Sequence, residues 1–529
     1  MELTQKSLAE KSFWQEHQIA IPQYDRDKVA AATKASPRWL HFGPGNIFRA
    51  FIADIQENLL NKGEVDYGII AGEPGFPELI EKVYKPHDNL GLVVIMNPDQ
   101  SMTKKVVGSI TEALVCNPDG QDWQRLVAVF RAPSLQIVSF TITEKGYQLK
   151  NTDGSFQPKI AADLKAGPVK AQSFPARLTA LVYERYLAGK APLTLLSLDN
   201  CSHNGSILKA CVMGVASAWE QASLVQDGFT AYLESQVKYP WSMIDKITPR
   251  PAEKVQDALK ADGFTDMGII RNSNGGYFAP FVNAEKTSYL VIEDDFANGR
   301  PPLDKAGVIL TNRETVEKVE RMKVTTCLNP LHTTLAVYGC LLGYTLIADE
   351  MKDPELNQLV RHIGAEGMKV VTDPGVLSPE DFLKQCLEVR FPNPAIPDTP
   401  QRIACDTSQK VGIRFGETIK SYGAKAGELQ YLPLAIAGWC RYLMALDDKG
   451  QPFELSFDPL LPQLKPLLAG IKLGEKTDVH AKLQAILSDA SIFGSDLYAS
   501  GLGHKVEQYF SELIAGPGAI RATLKHYLG

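Results

Sequence analysis

Short apolar runs alternate with amphipathic stretches through the first half of the chain. Trp39–Phe42, Tyr67–Ala71, Leu90–Met96, Leu135–Ile142 and Leu193–Leu198 are almost continuously apolar. Unbroken apolarity predicts strands covered on both faces, as in a parallel sheet. Between the first two runs, Ile47, Phe51, Ile52, Ile55 and Leu59 recur at helical spacing and form one apolar stripe. Trp123–Phe130 and Leu178–Leu187 have the same character. Such alternation predicts an α/β fold with a Rossmann-like doubly wound sheet. After TSYLVIEDDF (287–296) and the turn-rich NGRPP (298–302), the pattern becomes mostly helical, most clearly in Thr334–Ile347, Leu432–Leu446, Asp478–Leu487 and Val506–Ile514. The expected organisation is a Rossmann-like domain over residues 1–305 and a mostly α-helical domain over 306–529, with the boundary near 298–310.

Composition narrows the class. The chain has 529 residues, 44% hydrophobic and 22% charged, enough apolar material for folded domains. Its 55 basic and 61 acidic side chains leave a net charge of −6. A nucleic-acid or anionic-membrane partner would call for a basic excess, so neither is expected. The eight cysteines form no CxxC pair, which argues against a zinc ribbon or a dithiol redox centre and fits reduced thiols in the cytoplasm. The N-terminal residues lack the apolar core of a signal peptide. Val324–Ala348 carries no charged residue and is long enough to span a bilayer, but Asn329, Pro330, His332 and several threonines make a buried helix the better reading.

Candidate chemistry begins at Gly43-Pro44-Gly45-Asn46-Ile47-Phe48-Arg49, between the first strand and the first helix. Gly43 allows a tight turn, and Gly45 lets backbone approach a pyrophosphate at the N-terminus of the helix. Phe48 stands where the common fingerprint has its third glycine. Gly43, Gly45, Asn46, Ile47, Phe48, Arg49 and Glu73 are the candidate cofactor residues. Glu73, at the end of the second strand, offers a carboxylate to ribose hydroxyls and repels a 2′-phosphate, favouring NAD, although it lies about 28 residues beyond Gly45 rather than the usual ~20.

Three polar clusters interrupt apolar surroundings: Asp199–Gly205 after the strand LTLLSL, Lys323–His332, and Arg402–Lys410. Together with GPGNIFRA, TITEKGY (141–147), YPWSMIDKITP (239–249), YLVIEDDFANGRP (289–301) and RFPNPAIPDTPQRIACDTSQK (390–410), they occur in an order that resembles the long-chain polyol dehydrogenases, the mannitol dehydrogenase family. That family includes mannitol 2-dehydrogenases and fructuronate and tagaturonate reductases. The resemblance covers most of the chain. It implies metal-independent hydride transfer between NAD and a secondary alcohol carbon, with Lys323 as general acid/base, Asn200 and Asn329 holding the reacting oxygen, and His332 beside them. Asp245, Arg402 and Lys410 match substrate-binding positions.

These assignments make chemical sense. A desolvated amine favours its neutral form and can take a hydroxyl proton as hydride leaves, and amide N–H groups stabilise a developing alkoxide. The residues also have plainer readings. Asn329 before Pro330 is a good helix N-cap, and Arg402, Asp406 and Lys410, at i, i+4 and i+8, could form a salt-bridge row on one helix. Five residues separate Lys323 from Asn329, one more than the family's usual spacing. In a regular helix the extra residue would rotate Lys323 by ~100°, so a π-bulge or break is expected there. Glu320, three residues before Lys323, is a candidate proton relay. Mannitol/fructose and mannonate/fructuronate remain the candidate substrate pairs. A non-catalytic dinucleotide-binding scaffold is the alternative of another class, and a zinc-dependent enzyme is disfavoured because metal-ligand spacing is lacking.

Overall fold

The computed structural model describes residues 1–151 and 153–529. They form two compact units, residues 1–97 with 101–317 and residues 98–100 with 318–529.

The first unit is built on a six-stranded sheet: β1 (Trp39–Phe42), β2 (Ile69–Glu73), β3 (Ile110–Val115), β4 (Ile137–Phe140), β5 (Leu193–Ser197) and β6 (Val237–Lys238). Their spatial order is β3-β2-β1-β4-β5-β6, and all neighbours are parallel. This is a doubly wound Rossmann sheet, whose order reverses between β1 and β4 and so opens a crevice at their carboxyl ends. Every residue of β1, β2, β4 and β5 is buried, which is why those runs are apolar without alternation. Helix α1 (Ala53–Asn61) follows β1, and α2 (Asn204–Gln221) follows β5.

One predicted strand belongs elsewhere. The run at Leu90–Met96 becomes the strand Gly91–Met96 of a separate four-stranded sheet, antiparallel to Met102–Val107 and parallel to Phe281–Ala284. The third strand of the main sheet is instead β3, an edge strand with several half-buried positions. Its sequence, ITEALV, therefore lacks the unbroken apolarity of the central strands.

The second unit is mainly helical. The chain enters it within helix α3 (Arg313–Met322), which runs into a π-helical turn at Lys323–Cys327, and α4 (Asn329–Leu342) follows. Helix α4 packs against Pro354–Met368 and Tyr431–Tyr442. Leu331, Leu335, Val337, Tyr338 and Leu341 are all buried along it, so its charge-free sequence is that of a core helix. Among the described residues no helix is long and apolar enough to cross a membrane. The Glu366 carboxylate accepts the backbone N–H groups of Gln430, Tyr431 and Leu432 at 2.6, 3.1 and 2.9 Å, satisfying donors that the Tyr431–Tyr442 helix cannot pair internally.

Five π-helical turns occur among the described residues: Phe48–Ile52, Ile80–Tyr84, Lys323–Cys327, Cys386–Arg390 and Gly412–Gly416. Each fits an extra residue into a helical path, and such turns are frequent at functional sites. In the Lys323 turn, the Leu328 N–H reaches back five residues to the Lys323 carbonyl at 3.1 Å. The buried Thr418 hydroxyl donates to the Thr325 carbonyl at 2.9 Å. Thr418→Val keeps the shape but removes this donor, and should destabilise the protein by about 1 kcal/mol. A variant that melts at the wild-type temperature would show that the turn does not need this bond.

Candidate functional site

The crevice at β1 and β4 is shaped by backbone contact. Gly43 has φ +89°, and a Cβ there would lie 2.2 Å from the Thr141 carbonyl oxygen, so only glycine fits. A directed hydrogen-bond chain fixes the same place. Thr141 Oγ1 donates to the Gly43 carbonyl at 2.8 Å, so its single proton is committed and His41 Nε2–H must donate to it, at 2.9 Å. His41 Nδ1 then accepts from Ser139 Oγ at 2.8 Å, and Ser139 accepts from Trp39 Nε1 at 2.8 Å. Burial pushes the His41 pKa down to about 3, keeping the imidazole neutral as this chain requires. Tyr84 donates to the Pro44 carbonyl at 2.6 Å. In contrast, a Cβ on Gly45 would meet nothing within 4 Å. The protein itself does not require glycine at that position.

The other candidate cofactor residues divide into two groups. Asn46 and Ile47 are half-buried at the start of the helix. The side chains of Phe48 and Arg49 face inward, so any part these two residues take in holding a cofactor falls to their backbone. Phe48 is fully buried and stacks on His41 with ring centroids 4.1 Å apart. Arg49 donates to the Ala279 carbonyl at 2.8 Å and to Asn46 Oδ1 at 3.0 Å, so it positions the turn from within. Glu73 ends β2 with Oε1 accepting from the N–H groups of Gly75 and Phe76 at 2.6 and 2.7 Å. Burial raises its pKa, and those two bonds oppose the rise.

At the end of β5, Asp199, the first residue of the polar cluster 199–205, carries much of the local order, a role its sequence position does not show. Its carboxylate accepts from Ile142 N at 3.1 Å, Thr143 N at 2.8 Å and the Tyr147 hydroxyl at 2.5 Å. It thereby fixes the TITEKGY loop, in which Thr143 holds φ +66°, a conformation costly for a β-branched residue. Asn200 lies beside it and is exposed. Asn204, fully buried, donates to the carbonyls of Asp199 and Ser242, both at 3.0 Å, and accepts from Ser242 N at 3.0 Å. It therefore ties the Asn200 turn to the strand Ser242–Asp245, whose last residue, Asp245, is buried. An Asx residue within a polar loop could have signalled such a role, but its partner is some forty residues away in sequence.

In the second unit, Lys323 opens the π-helical turn and is 3% exposed. The irregularity expected from the long Lys323–Asn329 spacing is present. Asn329 is not an N-cap, however: Leu328 takes that place without a side-chain bond, and Asn329 is the first residue of α4. Its amide is thus not committed to capping. His332, one turn on, stacks on Phe391 and brings Nε2 within 2.8 Å of Asp398 Oδ2. The ring N–H points off that line and makes no aligned hydrogen bond, so the contact is chiefly electrostatic. Burial works against the Asp398 charge, but His332 and Arg402 outweigh it and hold the carboxyl below its usual range.

Residues 402–410 do not form one helix. The Pro400–Ile403 helix ends, Asp406 turns at φ +52°, and a 3-10 turn spans Thr407–Gln409, so the alternative of a salt-bridge row along one helix does not hold. Arg402 pairs with Asp398, which makes it a buttress for His332. Lys410 donates to the Cys405 carbonyl at 2.6 Å. His480, His504 and Glu507, on two other helices, place potential metal-ligand atoms within 4.8 Å of one another. Their carboxylate is already shared by both imidazoles and the Tyr498 hydroxyl.

Residues 37–305 match the family model of the mannitol dehydrogenase Rossmann domain, and residues 315–514 match the mannitol dehydrogenase C-terminal domain. This chain belongs to the mannitol dehydrogenase family. A D-mannonate oxidoreductase of Thermotoga maritima is 49% identical over 100% of this chain and 99% of its own length. Among solved structures, a Pseudomonas fluorescens mannitol 2-dehydrogenase in ternary complex with NAD and D-mannitol aligns with TM-score 0.74 and 26% identity, over 100% of this chain and 99% of that one. A substrate-free D-sorbitol dehydrogenase aligns with TM-score 0.79 and 27% identity, over 96% and 97%.

The two glycines give opposing expectations. Gly43→Ala must displace the Thr141 backbone and should lower the melting temperature markedly. Gly45→Ala should melt within a degree or so of wild type, yet weaken NADH binding about tenfold or more, because its methyl would occupy space a pyrophosphate needs. Fluorescence titration with NADH checks this, and unchanged affinity in Gly45→Ala would remove the turn from the cofactor site.

Proposed function

We propose that this protein is an NAD-dependent, metal-independent oxidoreductase that interconverts mannonate and fructuronate, with Lys323 as its general acid/base. The observation that carries the reading is the buried lysine at the π-helical turn, one turn ahead of an asparagine whose amide is free of capping duty. The choice of mannonate over mannitol rests on the D-mannonate oxidoreductase at 49% identity. Mannitol and fructose form the second pair to be tested. Nothing favours the non-catalytic scaffold.

NAD supplies the hydride acceptor in oxidation. Gly43, Gly45, Asn46 and Ile47 would hold its pyrophosphate at the helix start, and Glu73 would meet its ribose. The chain's own work is the proton and the oxygen. Lys323 Nζ takes the hydroxyl proton as the carbinol carbon loses hydride, and returns it to the carbonyl oxygen in reduction. Asn200 and Asn329 donate amide N–H bonds to that oxygen as its negative charge grows. His332, with Nε2 turned to Asp398, has Nδ1 for a substrate hydroxyl. Asp245 accepts from another hydroxyl. We place the enzyme in the cytoplasm, where its eight free thiols would stay reduced.

An NADH-oxidation panel over ketoses and keto-uronates tests the reading. Turnover should be fastest with fructuronate, persist after exhaustive chelation, and fall at least ~100-fold in Lys323→Ala. Retained turnover in that variant would displace Lys323 from the mechanism. Glu320→Gln should shift the pH–rate profile if Glu320 relays the proton to solvent, and an unchanged profile would remove it from that role.

A further inference from the structure

Cations in the second unit differ in whether an anion answers them. Arg402 is answered by Asp398. Lys410 and Arg414 are not: among the described residues neither has a carboxylate within ion-pairing distance. Lys410 Nζ has only the Cys405 carbonyl, and Arg414 Nη1 has the Thr333 hydroxyl at 2.5 Å. Both are half-buried. They sit one turn apart, with the Arg414 N–H bonded to the Lys410 carbonyl at 2.9 Å. Burial and the charge of Arg414 together press the Lys410 pKa down, and burial lowers that of Arg414 to about 10, which leaves it charged at neutral pH.

The backbone holds this arrangement rigidly. Arg414 lies in the π-helical turn Gly412–Gly416. Cβ atoms at Gly412 and Gly416 would lie 2.7 Å from the Ile492 carbonyl oxygen and 1.8 Å from that of Phe493. The glycines therefore press one side of the turn onto a fixed strip of backbone, while Arg414 reaches Thr333, the residue after His332 on α4. The same turn packs against the π-helical turn that begins at Lys323. Two like charges, half-desolvated and close together, are unfavourable unless an anion joins them.

We propose that Lys410 and Arg414 form a carboxylate subsite that makes this enzyme select a sugar acid over a neutral polyol, with Arg414 as the specificity-determining residue. The inference rests on the proposed reaction for its substrate. A guanidinium and an ammonium together suit a single carboxylate, the guanidinium binding both oxygens through its planar fork. Thr333 holds one Nη and so sets the plane of that fork.

The test compares wild type, Arg414→Met and Arg414→Gln with mannonate and mannitol, in turnover and in calorimetric binding with and without NADH. The subsite predicts that both variants raise the KM for mannonate at least tenfold, leave kcat within about threefold, and leave kcat/KM for mannitol unchanged or higher. Arg414→Gln removes the charge while keeping an amide for Thr333, so it reports on the subsite even if the methionine variant fails to fold. Equal losses for both substrates, unchanged mannonate affinity, or a loss confined to NADH affinity would each overturn the assignment. If wild type turns over neither substrate, the proposed reaction fails, yet mannonate binding that is stronger than mannitol binding and is lost in Arg414→Gln would still establish the anion subsite.

Discussion

A helix with one residue too many must send a carbonyl somewhere other than to its usual partner, and much of the second unit is arranged around that constraint. At Lys323–Cys327 the extra residue is taken up by a π-helical turn, and the Thr418 hydroxyl meets the Thr325 carbonyl. The turn takes up the extra residue of the long Lys323–Asn329 spacing, which a regular helix would carry on as a further ~100° of rotation. Arg414 sits in a second such turn, pressed by two glycines onto the backbone at Ile492–Phe493. Both turns trade regular hydrogen bonding for side-chain direction, and each is supported from outside by a hydroxyl or a close backbone contact.

Buried carboxylates provide the complementary device. Asp199 gathers two backbone N–H groups and a tyrosine hydroxyl, Glu366 gathers three N–H groups at the start of a helix, and Glu73 gathers two. None of these needs a cation, because backbone dipoles supply the opposing partial charge. These three carboxylates are thereby satisfied inside the protein. Lys410 and Arg414 have no carboxylate at ion-pairing distance among the described residues, a local feature that the small net negative charge of the chain does not reveal.

The sheet was legible because its central strands are buried on both faces, so their apolarity is unbroken. The edge strand β3 was not, since half-burial breaks the pattern, while Gly91–Met96 is as apolar as a central strand but pairs in another sheet. The irregularity after Lys323 could be read from one residue of spacing. The role of Phe48 could not: a missing glycine says that the fingerprint is altered, but not that a phenylalanine will stack on His41. The roles of Asp199, Asn204, Asp398 and Arg414 were not legible because Ile142, Ser242, His332 and Thr333, the partners that define them, lie far away in sequence. Local periodicity carries no information about such pairs. Arg402 and Lys410 looked like a helical row only because spacing cannot reveal that Asp406 breaks the helix with a left-handed turn.

The order of synthesis adds a consequence of Asp199. The loop after β4 cannot take its native form until a residue 57 positions later than Ile142 has left the ribosome and β5 has paired. The Asn204–Ser242 link needs a further 38 positions. Arg49, at the start of the first helix, finds its carbonyl only at Ala279, 230 positions on, and Gly91–Met96 gains its parallel neighbour only when Phe281–Ala284 arrives. Although its first strands are made early, the nascent first unit must therefore wait with an open nucleotide crevice until almost its whole sequence has emerged. During that interval the apolar strands β1 and β2 lack the partners that bury them, the condition under which unfinished chains are prone to aggregate.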